Sequence, residues 1–252
     1  MRFLLKPFQW LYCIYAVIVF ITIMLIIFPF AFIASFLGHI RGGNIIIRLC
    51  MIWADIWFPL IFIWPKRIFE TPHDESKPYI FVSNHISYLD AAILVKAYRQ
   101  PIRPLGKVEM SKAPVFGFIY KNAIVTVDRG SAADRIKSVR ILKSILSKGI
   151  SILVFPEGTF NTTHEPMKEF YDGAFRIAIE TQTPIKPVLF LDSYDRMNYK
   201  SIFSLTPGRC RILYLDEIPV SDFLLNDAMK LKEKVKNIME KKLIEYKAKW
   251  IK

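Results

Sequence analysis

The residues best placed for chemistry begin with Ser83-Asn84-His85-Ile86-Ser87-Tyr88-Leu89-Asp90. Histidine is the usual general base near neutral pH. A carboxylate beside it holds the ring in one tautomer and stabilises the imidazolium formed on proton uptake. His85 and Asp90 lie five positions apart, a spacing that does not align on a straight helix advancing ~100° per residue. The pair therefore requires a loop–helix junction that bends Asp90 back under His85. Alone the pattern is weak, and a capping or satisfied buried histidine explains His85 as well.

A second group is Phe155-Pro156-Glu157-Gly158-Thr159, which follows the apolar run Ile150–Phe155. Open α/β sheets place ligands at the carboxyl ends of their strands. Gly158 lets the backbone approach a substrate closely, and Glu157 can accept hydrogen bonds from substrate hydroxyls or orient nearby donors. The plain alternative is a turn with a solvated glutamate. A third group gathers Lys107 and Arg129, suited to phosphate as a point charge and a fork, or else ordinary surface cations. The fourth, Pro184-Ile185-Lys186-Pro187-Val188-Leu189, has two prolines about a short apolar run, which suggests an edge strand or groove wall. Metal binding is not expected, because His39, His73 and His164 have no second ligand at helical or zinc-type spacing. No Walker loop, GxGxxG or GxSxG occurs, so nucleotide and serine-hydrolase chemistry lack support.

The elements that must position these groups alternate. Strands are expected at Tyr79–Ser83, Ala123–Val127, Ile150–Phe155, Ile185–Leu191 and Arg209–Leu215. Helices are expected at Asp90–Tyr98, Ser131–Lys148 and Asp172–Thr181, with Ser131 as N-cap and Gly149 past the end of the second. Such alternation predicts an α/β domain. The tail Asp222–Lys252 repeats apolar residues at threes and fours and carries nine lysines against five acids. It reads as an amphipathic helix that either covers the sheet or lies on an anionic membrane.

The 252 residues are 53% hydrophobic and 23% charged, which excludes a disordered chain. Most of the charge lies beyond residue 65, which argues against a polytopic membrane protein. Pro7 to Gly38 contains no Asp, Glu, Lys or Arg, and its core Leu11–Leu37 exceeds the ~20 residues of a membrane span. It is too long for a signal peptide, and Pro29 is expected to kink or end the helix. After the break at residues 38–44, Ile45–Trp64 carries Arg48 and Asp55, which make a free-standing span costly. Trp53, Trp57 and Trp64 favour the membrane–water interface. This stretch is expected either at the interface or as the second arm of a hairpin. The expected organisation is a membrane anchor over 1–65, a polar linker over 66–78 and a domain over 79–252.

The net charge of +13 favours an anionic partner. Beside an oily head that partner is an anionic membrane surface rather than nucleic acid, for which no recognition motif is present. Cys13, Cys50 and Cys210 have no paired spacing and read as small buried hydrophobes.

Taken in this order, the four groups resemble those of the glycerolipid acyltransferases of the 1-acylglycerol-3-phosphate acyltransferase type. The resemblance covers Lys77 to about Leu215. It matches NHxxxxD at Asn84, His85 and Asp90, and FPEGT at Phe155–Thr159. It implies a mixed sheet flanked by helices with an N-terminal membrane-anchoring helix pair. It implies transfer of a fatty acyl group from acyl-ACP or acyl-CoA to the free hydroxyl of a lyso-lipid, most simply 1-acyl-glycerol-3-phosphate giving phosphatidate. His85 would be the base and Asp90 its partner. Lys107, Arg129, Glu157, Gly158 and Thr159 would bind the acceptor, and Ile185, Pro187 and Val188 would line the acyl channel. No cofactor beyond the thioester co-substrate and no acyl-enzyme are implied. Acyl thioesters are cytoplasmic, so the catalytic domain would face the cytoplasm. The compact size and minimal anchor point to a bacterial inner membrane.

There is one departure. The family's motif commonly continues FPEGTR, whereas Phe160 occupies that position here. Loss of a charge-assisted contact costs ~1.5–3 kcal/mol. Either the acceptor is not a phosphomonoester but a lyso-phospholipid or N-acyl amino acid lipid, or Arg129, Lys168 or Arg176 replaces the missing charge. A catalytically silent lipid-binding protein is the remaining alternative.

Overall fold

The computed structural model describes residues 6–127 and 132–251. The apolar head forms α1 (Lys6–Ser35) and α2 (Gly43–Leu60), joined by a π-turn over Gly38–Gly42. The first helix runs through Pro29 rather than ending there. The chain leaves it at Gly38, whose φ of +76° is the left-handed conformation that glycine adopts without strain.

The body is a seven-stranded sheet of β1 (Ile63–Phe69), β2 (Ile80–Ser83), β3 (Ile102–Lys107), β4 (Val125–Val127), β5 (Ser151–Val154), β6 (Ile185–Phe190) and β7 (Gly208–Tyr214). Its order is β1-β7-β6-β2-β5-β3-β4. All neighbours are parallel except β6 and β7. The helices are α3 (Asp90–Ala97), α4 (Phe116–Ala123), α5 (Ala132–Leu146), α6 (Gly173–Thr181), the short α7 (Ser193–Arg196) and α8 (Ala228–Glu245).

Side chains alternate between two cores, as the period of two in a strand requires. Phe81, Leu153 and Ile212 join the head, while Ile80, Ile152 and Leu213 join the layer of α6 and α8. The tail resolves in favour of sheet cover. Leu231, Val235, Met239 and Leu243 of α8 are all fully buried, and Lys232 pairs with Glu169 and Asp172 at 3.1 and 3.2 Å.

Three expectations are corrected. First, the polar stretch 66–78 is not a linker from its start, because residues 63–69 form β1, paired in parallel with β7 over its whole length. As an edge strand it shows Trp64, Lys66 and Phe69 to solvent, which hid it among charged residues. Second, Pro184 and Pro187 do not mark an edge. β6 is central, and all six of its residues are buried. Leu215 N donates to Pro187 O at 3.1 Å, and the return bond is the one proline cannot make. Beyond it Ile185 and Ile218 exchange both bonds, so one extra residue bulges on the partner strand opposite Lys186. Third, Trp53 and Trp57 are buried against α1 rather than facing an interface. Their indole N–H groups donate to Phe20 O and Ala16 O, so the two helices run antiparallel.

The head is fastened to the body. Asp55 of α2 pairs with Lys96 and Arg99 at α3. The buried Arg103 of β3 donates to His39 O, Ile40 O and Asn44 Oδ1, which pins the π-turn. β3 itself escapes sequence reading because Arg103 and Pro104 interrupt its apolar pattern.

Candidate active site

β2 and β5 are neighbours and parallel, with Ile80 opposite Ile152 and Val82 opposite Val154. Their carboxyl ends therefore release two loops side by side, Asn84–Leu89 and Phe155–Phe160, although some 70 residues of chain separate them. This is the edge of an open sheet where ligands sit.

The first loop folds back sharply. Asp90 N donates to Ser87 O at 3.2 Å, and Leu89 N donates to Ser87 Oγ at 2.9 Å. Asp90, fully buried at the start of α3, then accepts three N–H groups on Oδ2: His85 Nδ1 at 2.9 Å, Ile86 N at 2.8 Å and Ser87 N at 2.9 Å. The bend demanded by the five-residue spacing is thus made by the carboxylate itself. With Nδ1–H donating to Asp90, Nε2 is left as the basic nitrogen. Asn84 clamps the loop to β6 in both directions, its Nδ2 donating to Phe190 O and its Oδ1 accepting from Phe190 N.

The His85 ring is held between two phenylalanines. Phe155 stacks on it at 4.3 Å between centroids, and Phe160 meets it edge-on at 4.4 Å. Phe160 also packs edge-on against Tyr88 at 4.9 Å. Phe155 covers one face of the ring, yet the side chain keeps 22% of its exposure.

Glu157 does not point at a substrate. It is 3% exposed, and both oxygens serve the protein: Oε1 accepts His85 N at 3.0 Å and Oε2 accepts Lys168 N at 2.9 Å. The expected role of acceptor ligand is replaced by that of a strut between the histidine loop and segment 165–172. Gly158, at φ +72°, closes the turn with its N–H on Phe155 O. Thr159 is exposed, and its Oγ1 accepts from Lys168 Nζ at 2.7 Å.

Burial raises the Glu157 pKa from 4.5 to about 7, against the lowering effect of the two backbone donors. Between those values the folded chain holds a proton that the unfolded chain has released, so stability falls as pH rises through this window. The ionised carboxylate costs on the order of 3 kcal/mol by linkage. A melting curve at each pH should show Tm declining from about pH 5 to about pH 7.5, and Glu157→Gln should flatten that decline. An equal decline in the variant would remove Glu157 as its source.

The other expected site residues fall as follows. Lys107 ends β3 at the same edge of the sheet, two strands and roughly 10 Å from β2, and is exposed. Arg129 and the Ser131 cap lie outside the described residues. Ile185 belongs to the core on the α8 side, while Val188 is sealed beneath the head.

None of Ile185, Pro187 and Val188 lines the large apolar cavity, contrary to expectation. That cavity, about 500 Å³, lies between the head and the body. Its walls include Ala16 and Phe20 of α1, Trp53 and Trp57 of α2, and Leu89 and Ala92 beside the histidine loop. Its volume is in the ordinary range for ligand sites. Apolar runs in the head signal burial or lipid, but not a cavity, so the sequence alone did not reveal these walls.

The family model Acyltransferase matches residues 67–191. The 1-acyl-sn-glycerol-3-phosphate acyltransferase alpha of Ovis aries is 30% identical over 166 residues, 65% of this chain and 57% of that protein. The chain thus spans less than two thirds of that relative's length. In Caenorhabditis elegans acl-1, assigned as a 1-acyl-sn-glycerol-3-phosphate acyltransferase, 30% identity extends over 201 residues, 76% of this chain and 75% of that one. The crystal structure of the 1-acyl-sn-glycerophosphate acyltransferase PlsC from Thermotoga maritima superposes with a TM-score of 0.75 at 22% identity, covering all of both chains, which shows the fold. With His85 and Asp90 joined at the sheet edge, and with these likenesses spanning the body, the chain belongs to the acyltransferase family of the 1-acyl-sn-glycerol-3-phosphate acyltransferase type.

Proposed function

We propose that this protein transfers a fatty acyl group from acyl-ACP or acyl-CoA to the free hydroxyl of 1-acyl-glycerol-3-phosphate, giving phosphatidate, in phospholipid biosynthesis. The observation that carries this reading is the His85–Asp90 pair at 2.9 Å, beside a cavity walled by the apolar head. Nε2 of His85 takes the proton of the acceptor hydroxyl as its oxygen attacks the thioester carbonyl. The carbon–sulfur bond then breaks, and the departing thiolate recovers the proton from the imidazolium. The oxyanion formed in between requires preorganised donors, for which loop backbone N–H groups or Lys107 are the candidates. The acyl chain occupies the cavity.

The head serves this chemistry by holding the site at the membrane from one side. A helix of 30 residues is about 45 Å long, yet α1 touches the body at both ends. Near its start Gln9 and Cys13 reach Leu205 O. Near its end Phe28 and Phe32 pack on Phe118. A helix so laid along the domain lies in the membrane surface rather than crossing it, with Leu11, Ile18, Leu25 and Ile33 exposed to lipid. The donor's location sets the body on the cytoplasmic face of that membrane.

Phe160 favours a second reading, the same chemistry on a lyso-phospholipid or N-acyl amino acid lipid. The full chain supplied with a long-chain acyl thioester and each acceptor in turn separates them. Fastest thiol release with lysophosphatidate is expected, and a wide preference for a neutral or zwitterionic acceptor would replace the first reading with the second.

A further inference from the structure

Segment 165–172 runs beside the FPEGT loop, and two of its acidic residues, Glu169 and Asp172, are already paired. Glu169 binds Lys232 and Lys236, and Asp172 binds Lys232, so α8 neutralises this side of the segment. Lys168 differs. Its backbone N–H is held by Glu157, the same carboxylate that holds His85 N. Its ammonium is directed to the loop itself, donating to Thr159 Oγ1 at 2.7 Å and reaching Phe160 O at 3.5 Å. Among the described residues no carboxylate forms an ion pair with it. A positive charge therefore stands between the Thr159 side chain and the carbonyl of the peptide that joins Phe160 to Asn161. Phe160 turns its ring inward onto His85 and offers no charge of its own.

The loop that Lys168 touches also touches the base. Asn161 N donates to His85 O at 2.7 Å, so the Phe160–Asn161 peptide, whose carbonyl Lys168 reaches, lies directly against the histidine backbone. Because Lys168 donates to Thr159 Oγ1, the threonine hydroxyl proton is free to point outward. An ammonium with a donor to spare and a neighbouring hydroxyl make a pair of donors suited to a phosphate oxygen. Phosphate occurs both on the lipid acceptor and on the prosthetic group of the acyl carrier. The acceptor must present its hydroxyl to His85 and its head group nearby, so the acceptor is the substrate that this position fits.

We propose that Lys168, together with Thr159, is the subsite for the acceptor's phosphate and sets the preference for a phosphorylated lyso-lipid. The inference rests on the acyl-transfer reading above. Its test uses the purified full chain with lysophosphatidate, with uncharged monoacylglycerol, and with a long-chain acyl thioester as donor. Lys168→Ala should raise the KM for lysophosphatidate about tenfold or more, with the donor KM unmoved. It should also lower the ratio of kcat/KM for lysophosphatidate over monoacylglycerol by a similar factor. Lys168→Arg should recover most of that ratio. An unchanged acceptor KM, or a rise confined to the donor, would overturn the proposal. An equal fall on both acceptors would make Lys168 merely structural and overturn it too. Wild-type release of thiol with lysophosphatidate is the control: its absence defeats the acyl-transfer reading, whereas its presence beside an indifferent Lys168→Ala variant defeats only the subsite.

Discussion

Alanine in place of His85 is expected to reduce acyl transfer by about 10²- to 10⁴-fold, the usual contribution of a positioned general base. The loss should fall on kcat, because in the proposed mechanism the imidazole removes a proton in the transition state and the cavity proposed for the acyl chain is walled by other residues. The fold should survive. The side chain is partly exposed, and the loop keeps the clamp of Asn84 on β6 and the backbone bond to Glu157. Circular dichroism and initial rates on the same preparation check both halves. A folded His85→Ala variant with wild-type rates would remove the histidine from the chemistry.

Asparagine in place of Asp90 is expected to be nearly as damaging to rate, by a different route. Asp90 is a positioning residue: its Oδ2 fixes the His85 ring and two backbone N–H groups, while Oδ1 is buried without a partner among the described residues. A buried carboxylate so placed stabilises the imidazolium that forms when His85 takes its proton. The amide of asparagine carries no charge to do this. It can still accept through one oxygen, but its NH₂ is left in an apolar site, at a cost of about 1–3 kcal/mol. We expect a fall of about 10²- to 10⁴-fold in kcat with little change in acceptor KM, together with a lower Tm. A lower Tm at full activity would make Asp90 a purely structural support. A KM effect without a kcat effect would place it in substrate binding.

Much of this arrangement is legible in the sequence for a physical reason. Buried parallel strands read as short apolar runs, and chemical side chains follow at their carboxyl ends. Tyr79–Ser83 and Ile150–Phe155 each announce a strand followed by reactive residues. Only the sheet order, which makes β2 and β5 neighbours, brings the two loops together. Edge strands are harder to see, because one side faces solvent and tolerates charge. Hence Ile63–Phe69 was hidden by Lys66 and Arg67; Ile102–Lys107, an inner strand, was hidden instead by Arg103, whose burial depends on carbonyls of the distant π-turn. The tasks of individual side chains depend on tertiary partners. Glu157 reads as a substrate ligand until both its oxygens are found on backbone N–H groups. Lys168 is one of three cations that could replace the motif's missing charge until Thr159 is found to orient it. The central placement of β6 was obscured by Pro184 and Pro187, since the bulge that accommodates proline lies on the partner strand.

The central claim is direct transfer from a thioester to a lipid hydroxyl activated by His85. Its most direct test follows free thiol and diacyl product together, with the full chain in lipid vesicles, long-chain acyl thioester as donor, and lysophosphatidate present or withheld. Thiol should appear only when the acceptor is present, one for each phosphatidate formed, and the intact mass of the chain should carry no added acyl group. Thiol released at the same rate without acceptor, or an acylated chain accumulating before product, would contradict the account.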